Sequence, residues 1–465
     1  MVSVPLWLAV LGGALAAWAA YDKLLLPALR WFVAGRANVV LEEVSTRLRI
    51  SIRPFQRTRR QVLIHRLVGD PKVQAAAEQF ARQHKVPVAA ALMAVERYAR
   101  EIVPAFNAYL YFRVGNWLGR KLSQGLYRVR LGFVDTEALK KVPENATVVF
   151  VMNHRSNMDY VLAGYLAADQ AALSYAVGEW ARSWPLSALI RSMGAYFVRR
   201  NSKDNLYRRV LERYIVMATQ AGVPQAVFPE GGLTRDGLMR EPRLGVVDYM
   251  LRGFWMDGAR DLVFVPLGLN YDRVLEDRTL LLSADPDARK PSRFWAAWNT
   301  LGFVGNNLRL MLKSDWHRFG YACVNFGAPV STREYCTLRG LDFQKLGGDA
   351  RKLAIAALGK HLMARVGSIV PVVPVPLIAS VLLKNELKPI SELELKSGVE
   401  LLIEKLVAAG AHVYIPRKDL DYAVAVGLRM LMLRRLLEEK DGLFAARPAE
   451  LPLIRYYANS ISHLL

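Results

Sequence analysis

Residues 147–160, T-V-V-F-V-M-N-H-R-S-N-M-D-Y, constrain the fold of this chain more than any other stretch. The run Thr147–Met152 is apolar or β-branched throughout, which is typical of a strand buried on both faces of a sheet. Polar residues begin at Asn153, and residues 162–167 then have the composition of the first turns of a helix. Ligands of open α/β sheets bind beyond the carboxyl ends of the strands, so we expect a binding site directly after Met152.

Similar apolar runs recur between helical spacers at residues 173–177, 195–198, 225–228, 262–269 and 321–326. Residues 201–221 have the clearest helical pattern, with Ser202 as a candidate cap and an apolar face of Leu206, Val210, Leu211 and Tyr214. This alternation predicts an α/β fold with a central mixed sheet and flanking helices.

The length of 465 residues exceeds what one compact core usually holds. We therefore predict four regions: an N-terminal membrane anchor, a helical N-terminal region, an α/β catalytic domain and a helical C-terminal region. Their predicted bounds are residues 1–36, 37–126, 127–348 and 349–465.

The predicted anchor contains residues 2–21, which carry no charge and are long enough to cross a bilayer as a helix. No basic residue precedes this run, which disfavours a cleaved signal peptide. Lys23, Arg30 and Arg36 follow it, so the positive-inside rule places the body of the protein in the cytoplasm. The many Ala and Gly residues leave an alternative open, a helix that lies in the membrane interface or docks on the protein.

The balance of charge indicates a polyanionic partner. The chain has 63 Lys and Arg against 41 Asp and Glu, a net charge of +22, with 53% hydrophobic residues. No nucleic-acid-binding motif is present, so we expect membrane phospholipids and phosphorylated substrates rather than nucleic acid. The arginines of residues 47–60 either contact anionic headgroups or form a solvated basic face. Cys323 and Cys336 form no C-x-x-C pair, which argues against a disulfide framework or structural zinc.

His154 and Asp159 are the candidate catalytic residues. A neutral imidazole can take a proton from an alcohol that attacks an acyl carbon, and a carboxylate can fix its tautomer and stabilise the imidazolium. Spacing alone is a weak signal, because His65 and Asp70 are separated by the same number of residues. No strand precedes His65, so we interpret that pair as a chance match and expect Asp159 to reach His154.

Two further stretches suit a phosphate group. Arg199 and Arg200 end the apolar run of residues 194–200, and paired arginines can bind phosphate bidentately, although a double arginine in so basic a chain is also a common surface feature. After the run 225–228, Glu230 is followed by two glycines whose N–H groups can approach an anion closely. Arg235 adds a fixed charge there, and the alternative reading is an ordinary glycine turn.

Together these groups call for an alcohol that bears a phosphate, because a base and two phosphate-binding clusters follow strands of one predicted sheet. No G-x-S-x-G motif is present and neither cysteine lies near a histidine in sequence, so a covalent acyl-enzyme is not expected. Ser156 is better placed to donate a hydrogen bond than to act as a nucleophile.

The same residues resemble those of the bacterial glycerol-3-phosphate acyltransferase family, within the membrane glycerolipid acyltransferases. Four motif blocks carry the resemblance: His-x4-Asp in residues 154–160, G-A-[FY]-F-[IV]-R-R in 194–200, F-P-E-G-G-x-[ST]-R in 228–235 and V-P-[ILV] in 265–267. V-N-F-G at 324–327 and the closing R-Y-Y-A-N-S-I-S-H-L-L also look like family features. The resemblance runs from about residue 99 to the end and implies the glycerolipid acyltransferase fold.

The resemblance implies direct acyl transfer without a metal or cofactor. His154, oriented by Asp159, would deprotonate the 1-hydroxyl of sn-glycerol 3-phosphate. The oxygen would attack an acyl-CoA or acyl-carrier-protein thioester, giving 1-acylglycerol 3-phosphate. Arg199, Arg200 and Arg235 would bind the phosphate. The other substrate-binding residues that the resemblance implies are Arg155, Ser156, Glu230, Gly231 and Gly232.

Two positions depart from the family pattern, since Leu233 stands where the family often has Arg and Asn157 replaces a frequent His. Leu233 leaves 1-acylglycerol 3-phosphate and dihydroxyacetone phosphate open as alternative acceptors. Outside the enzymes, the alternative is a basic membrane-binding protein without activity, which the presence of both His154 and Asp159 disfavours. The resemblance places the protein at the bacterial cytoplasmic membrane, with its catalytic domain facing the cytoplasm.

Overall fold

The structure is a computed structural model that describes residues 52–167, 172–178, 186–199, 202–284 and 318–465. The predicted N-terminal anchor, residues 1–36, lies outside this part of the chain. Among the described residues, no helix is long and apolar enough to cross a bilayer.

The predicted α/β fold with a central mixed sheet and flanking helices is confirmed. The order of the strands in the sheet is β1-β7-β6-β2-β5-β3-β4, and β8 pairs with β6. The strands are β1 (Arg128–Val134), β2 (Thr147–Met152), β3 (Ser174–Val177), β4 (Tyr196–Phe197), β5 (Gln225–Val227), β6 (Leu262–Tyr271), β7 (Tyr321–Phe326) and β8 (Val330–Ser331).

The central strands share one direction, which determines where the site lies. β2 pairs in parallel with both β5 and β6, and β3 pairs in parallel with β5 and β4. β7 is antiparallel to β6 and parallel to β1 at the edge of the sheet. The carboxyl ends of β2, β3, β4, β5 and β6 therefore meet along one edge, as expected for a ligand-binding edge.

Helices cover both faces of the sheet and form the regions before and after it. The N-terminal helices are α1 (Pro54–Arg57), α2 (Arg60–Val68), α3 (Pro71–His84) and α4 (Val88–Ile102). A π-helix, Leu110–Gly115, leads into α5 (Asn116–Leu126). Those among the strands are α6 (Thr136–Lys140), α7 (Met158–Ala167), α8 (Leu186–Ser192), α9 (Asn205–Gln220), α10 (Gly245–Leu251) and α11 (Asp277–Ala284). The last are α12 (Thr332–Arg339), α13 (Gly348–Gly367), α14 (Pro374–Lys384), α15 (Glu392–Ala408), α16 (Leu420–Leu433) and α17 (Leu451–Asn459).

β2 is buried on both sides because successive side chains of a strand point to opposite faces. Val149 and Val151 pack in the cluster that contains the apolar faces of α4 and α9. Phe150 and Met152 pack in the other cluster, which contains α7 and the C-terminal helices α14 and α17. The C-terminal helices thus cover one face of the sheet that carries the candidate site.

Two details of the α/β region differ from the sequence-based expectations. The helix α9 begins at Asn205 and is capped by Asp204, whose carboxylate accepts from Tyr207 N, rather than by Ser202. β1 was not expected, because it is an edge strand whose side chains are largely exposed.

The C-terminal region also contains strands: β9 (Ile390–Ser391), β10 (Leu437–Lys440) and β11 (Leu443–Ala446) form a three-stranded sheet. The helix α16 ends at Leu433, shortly before β10 begins. Asp441 and Gly442 have φ of 53° and 76°, the conformation that a two-residue hairpin turn requires. The Asp-Gly pair between two short strands was the sequence signal for this hairpin.

Candidate active site

The loop after β2 brings the two candidate catalytic residues together. His154 follows β2 directly after Asn153, and Asp159 lies in the first turn of α7. His154 Nδ1 donates to Asp159 Oδ2 over 2.9 Å, and both side chains are buried. Because an ionised carboxylate only accepts, the proton lies on Nδ1 and Nε2 is the basic nitrogen.

Asp159 is held by three further donors. Its Oδ2 accepts from the backbone N–H groups of Arg155 (2.7 Å) and Ser156 (3.0 Å). Its Oδ1 accepts from the hydroxyl of Tyr271, at the end of β6, over 2.5 Å. Burial, and then the charge of Asp159, raise the pKa of Tyr271 well above its usual value, so this hydroxyl remains a donor. The carboxylate is therefore fixed at both oxygens and can hold the imidazole in one orientation.

The basic nitrogen of His154 is enclosed. Its Nε2 is buried and has no hydrogen-bond partner among the described residues. The ring stacks on Phe228, with centroids 4.1 Å apart, and meets the edge of Tyr160 at 5.5 Å. Only 2% of the His154 side chain is exposed, so a ligand hydroxyl can reach Nε2 only if neighbouring side chains move. A buried acceptor without a partner is costly, and a bound hydroxyl would supply the missing donor.

Glu230, in the turn after β5, supports the backbone of His154. Its Oε1 accepts from His154 N over 2.9 Å, and its Oε2 accepts from Arg240 N over 3.2 Å. Burial raises the pKa of Glu230, although the charge of Arg155 and these N–H groups act against the rise. Gly231 has φ of +69°, and an added Cβ would lie 2.7 Å from Arg243 Cδ, so this position requires glycine. Gly232 beside it is half-buried.

The predicted phosphate-binding arginines have different surroundings. Arg199 forms an ion pair with Glu101 at 2.6 Å and lies over the ring of Tyr207 at 4.8 Å. Its hydrogen bond with Glu101 raises the pKa of Arg199 above its usual value. Arg235 is exposed and donates to Ser283 O over 3.1 Å. Arg200 lies outside the described residues.

Arg155 differs most from its predicted role in substrate binding. Its side chain is buried and donates to the carbonyl oxygens of Gly237 and of Ser460, the latter over 2.8 Å. In this position the guanidinium joins the loop after β2 to the loop of residues 228–243 and to the C-terminal segment. The Arg155 side chain therefore stabilises the loop after β2 and does not extend towards a ligand.

Ser156 donates a hydrogen bond, as expected, but its partner is the carboxylate of the half-buried Glu276. Its Oγ lies 2.8 Å from Glu276 Oε2, and Glu276 Oε1 accepts from Asn157 Nδ2 over 3.0 Å. Burial raises the pKa of Glu276. Sequence reasoning missed both Glu276 and Tyr271, which lie in the Y-D-R-V-L-E stretch that follows the predicted strand of residues 262–269.

An apolar cavity of about 220 Å³ adjoins the loop between β2 and α7. Tyr160, which contacts the His154 ring, and Asn157 form part of its wall. The remaining lining comes mainly from α5, α7 and α8, with Leu118, Leu122 and Ile190 among its apolar side chains. The site thus combines a buried base with an adjacent space suited to a hydrocarbon chain. No cluster of potential metal ligands occurs among the described residues.

Two family models match the chain. Residues 133–270 match the model described as Acyltransferase, and residues 306–465 match the model described as Glycerol-3-phosphate acyltransferase C-terminal region. His154, Asp159 and Glu230 lie in the first match, and Ser460 lies in the second.

Similar proteins named glycerol-3-phosphate acyltransferase occur in several bacteria. Those of Pseudomonas entomophila and Pseudomonas putida strain W619 are 28% and 29% identical over 87% of this chain and 49% of their own length. That of Haemophilus ducreyi is 27% identical over 87% of this chain and 50% of its own. The chain spans about half the length of these relatives.

The crystal structure of the 1-acyl-sn-glycerophosphate (LPA) acyltransferase from Thermotoga maritima aligns with 55% of this chain and 80% of its own, at 17% identity and a TM-score of 0.31. The sequence matches confirm the resemblance expected from the four motif blocks: the chain is a relative of the bacterial glycerol-3-phosphate acyltransferases.

Proposed function

We propose that this protein transfers a fatty acyl group from an acyl thioester to the 1-hydroxyl of sn-glycerol 3-phosphate. The observation that carries the proposal is the buried His154–Asp159 pair, whose basic Nε2 has no described partner. A general base of this kind activates an alcohol, and the names of the relatives supply the acceptor.

The reaction needs one proton acceptor and no covalent enzyme intermediate. Nε2 of His154 takes the proton of the 1-hydroxyl as the oxygen bonds to the thioester carbonyl carbon. The carbon–sulfur bond then breaks, and the thiolate receives the proton from the imidazolium. The products are 1-acylglycerol 3-phosphate and the free thiol of coenzyme A or acyl carrier protein. Asp159 stabilises the imidazolium between the two proton transfers.

The apolar cavity beside Tyr160 supports an acyl substrate, since its wall suits the hydrocarbon chain of the donor. For the acceptor phosphate we propose Arg200 and Arg235, as the family resemblance implies. Arg199 is already paired with Glu101, so its part in phosphate binding requires that this ion pair opens. We propose that the reaction occurs at the cytoplasmic face of the bacterial inner membrane, because its product is a lipid.

Acyl transfer by the purified chain tests the proposal. The wild type, given labelled acyl-CoA or acyl carrier protein thioester, is expected to acylate glycerol 3-phosphate. His154→Ala is expected to abolish transfer, and His65→Ala, at the same spacing from a carboxylate, is expected to keep it. Asp70 caps α3 and pairs with Arg213, and the exposed His65 contacts Gln61, so the control pair has no catalytic geometry.

Assays with three acyl acceptors distinguish the alternatives that Leu233 leaves open. Transfer to 1-acylglycerol 3-phosphate or to dihydroxyacetone phosphate, but not to glycerol 3-phosphate, would contradict the proposed acceptor. Full activity of the His154→Ala protein would contradict the proposed base. Loss of the charge in Arg235→Ala should raise the acceptor KM with little change in kcat, because it removes binding of a group that does not react.

A further inference from the structure

The helix α5 leaves an apolar face uncovered in the described chain. Its side chains Trp117, Leu118 and Leu122 are 60%, 43% and 43% exposed. The opposite side of α5 is packed, since Ser123 is buried and Gly119 lies against Val161 of α7. Three large apolar side chains on one short helix form a contiguous patch rather than the scattered exposure that is normal for a protein surface.

Basic side chains accompany this patch in the sequence, and the same segment carries no acidic ones. Arg113, Arg120 and Lys121 are exposed, and Arg113, Trp117 and Lys121 follow one another at intervals of four residues, so they lie on one side of the helical segment. No Asp or Glu occurs between Glu101 and Asp135. The segment that carries the patch is therefore both apolar and cationic, with no acidic side chain of its own.

An anionic bilayer matches every property of this face. Tryptophan is favoured at the membrane interface, leucine in the acyl region, and arginine and lysine bind headgroups while their aliphatic stems cover apolar surface. A nucleic acid would satisfy the charges but would leave Leu118 and Leu122 without apolar contacts. We infer that α5 docks on an anionic lipid surface through Trp117, Leu118 and Leu122, with Arg120 and Lys121 on the headgroups.

The position of this face gives the docking a function, and this step rests on the proposed acyl transfer. Leu118 and Leu122 also line the cavity that reaches Tyr160 beside His154. A bilayer in contact with α5 would place the mouth of this cavity at the depth of lipid chains. The acylated product could then leave sideways into the membrane without exposing its chain to water.

The test uses the full chain in vesicles of phosphatidylethanolamine and phosphatidylglycerol. Cys323 and Cys336 are buried, so a fluorophore can be attached selectively at Trp117→Cys. The matched control is Leu401→Cys on α15, because Leu401 is 64% exposed and has the acidic neighbours Glu400 and Glu404. Nitroxide-labelled lipids should quench the label at 117 several-fold more than the label at 401, and aqueous iodide should show the reverse order.

Each other outcome contradicts the inference. Equal quenching at both positions would mean that α5 faces water. Protection of position 117 from iodide without quenching by nitroxide lipids would mean that protein, such as a second copy of the chain, covers the face. Charge reversal by Arg120→Glu with Lys121→Glu, in the labelled protein, should lower the lipid quenching at 117 several-fold. Unchanged quenching would contradict the contacts of these two residues with lipid headgroups.

Acyl transfer in detergent solution separates this inference from the proposed function. Neither Arg120 nor Lys121 lines the cavity or contacts His154, so the charge-reversed protein should keep its activity in detergent. Lipid quenching at 117 in a protein that transfers no acyl group would support the docking face and contradict the function. Activity in detergent without lipid quenching would do the opposite.

Discussion

Replacement of Tyr271 by Phe tests whether the hydrogen bond at Asp159 Oδ1 matters for the proposed base, His154. The change removes one hydroxyl that donates to Asp159 Oδ1 over 2.5 Å, and both residues are fully buried. A hydrogen bond to a charged group contributes about 1.5–3 kcal/mol, and the unpaired oxygen would remain out of reach of water. We expect the free energy of unfolding to fall by about 2 kcal/mol.

The effect on catalysis follows from the three bonds that remain. Oδ2 still accepts from His154 Nδ1 and from two backbone N–H groups, so the pair forms but the carboxylate is less tightly oriented. We expect kcat to fall by about tenfold, equivalent to about 1.4 kcal/mol, while the acceptor KM stays close to the wild-type value. A residue that only stabilised the fold would lower the fraction of active protein without this division between kcat and KM.

A second buried tyrosine provides the matched control. The Tyr196 hydroxyl is buried in β4 and has no hydrogen-bond partner among the described residues. Tyr196→Phe should therefore keep both stability and activity. Urea unfolding gives the stability, and initial rates at saturating acyl donor, corrected for the folded fraction, give kcat. Equal losses in the two variants, or a change confined to KM, would refute the role assigned to Tyr271.

Three further predictions concern stability, and each is measured by equilibrium unfolding in urea. Gly237→Ala should cost about 3 kcal/mol or more, because Gly237 has φ of +87° and an added Cβ would overlap the carbonyl oxygen of Tyr456. Arg434→Met should cost about 3–5 kcal/mol, since it leaves the buried carboxylate of Asp277 without its ion-pair partner. Burial raises the pKa of Asp272 to about 7, so the native state keeps a proton that the unfolded chain releases near its ordinary value of 3.8. The free energy of unfolding should therefore fall as pH rises from about 4 to about 7, by about 1.4 kcal/mol per unit from this group, and Asp272→Asn should remove this slope.

Local patterns predicted the parts of the fold that depend on neighbouring residues. The predicted strands Thr147–Met152 and Tyr321–Phe326 have the observed bounds, because an uninterrupted apolar run and its polar boundary are both visible in one stretch. The predicted apolar face of α9 is buried for the same reason. His154 and Asp159 meet because the turn between β2 and α7 closes over only five residues.

Contacts between distant residues could not be predicted in this way. Tyr271 lies 112 residues after Asp159, and the two meet because β6 pairs with β2. The partner of Arg199, Glu101, lies on a helix that precedes the sheet by many residues. The order of the strands sets the first contact and the packing of α4 against β4 sets the second, and one sequence reveals neither. Local sequence therefore identified the proposed base and its partner Asp159, but not Tyr271, which supports that carboxylate.

The two segments matched by separate family models are joined at the active site. Arg155, next to the base, donates to Ser460 O, which is 305 residues away. Asn270, next to Tyr271, donates to Pro371 O and to Ser460 Oγ, and Val274 N donates to the hydroxyl of Tyr457.

These bonds are buried, and a buried polar group that loses its partner is costly. A shift of the C-terminal segment would therefore move the loop that carries His154, as well as the end of β6 that supports Asp159. The predicted boundary at residue 348 stays a prediction, but the catalytic geometry depends on both sides of it. The helices after that boundary, in the segment matched to the C-terminal-region model, are thus part of the scaffold that orients the proposed base.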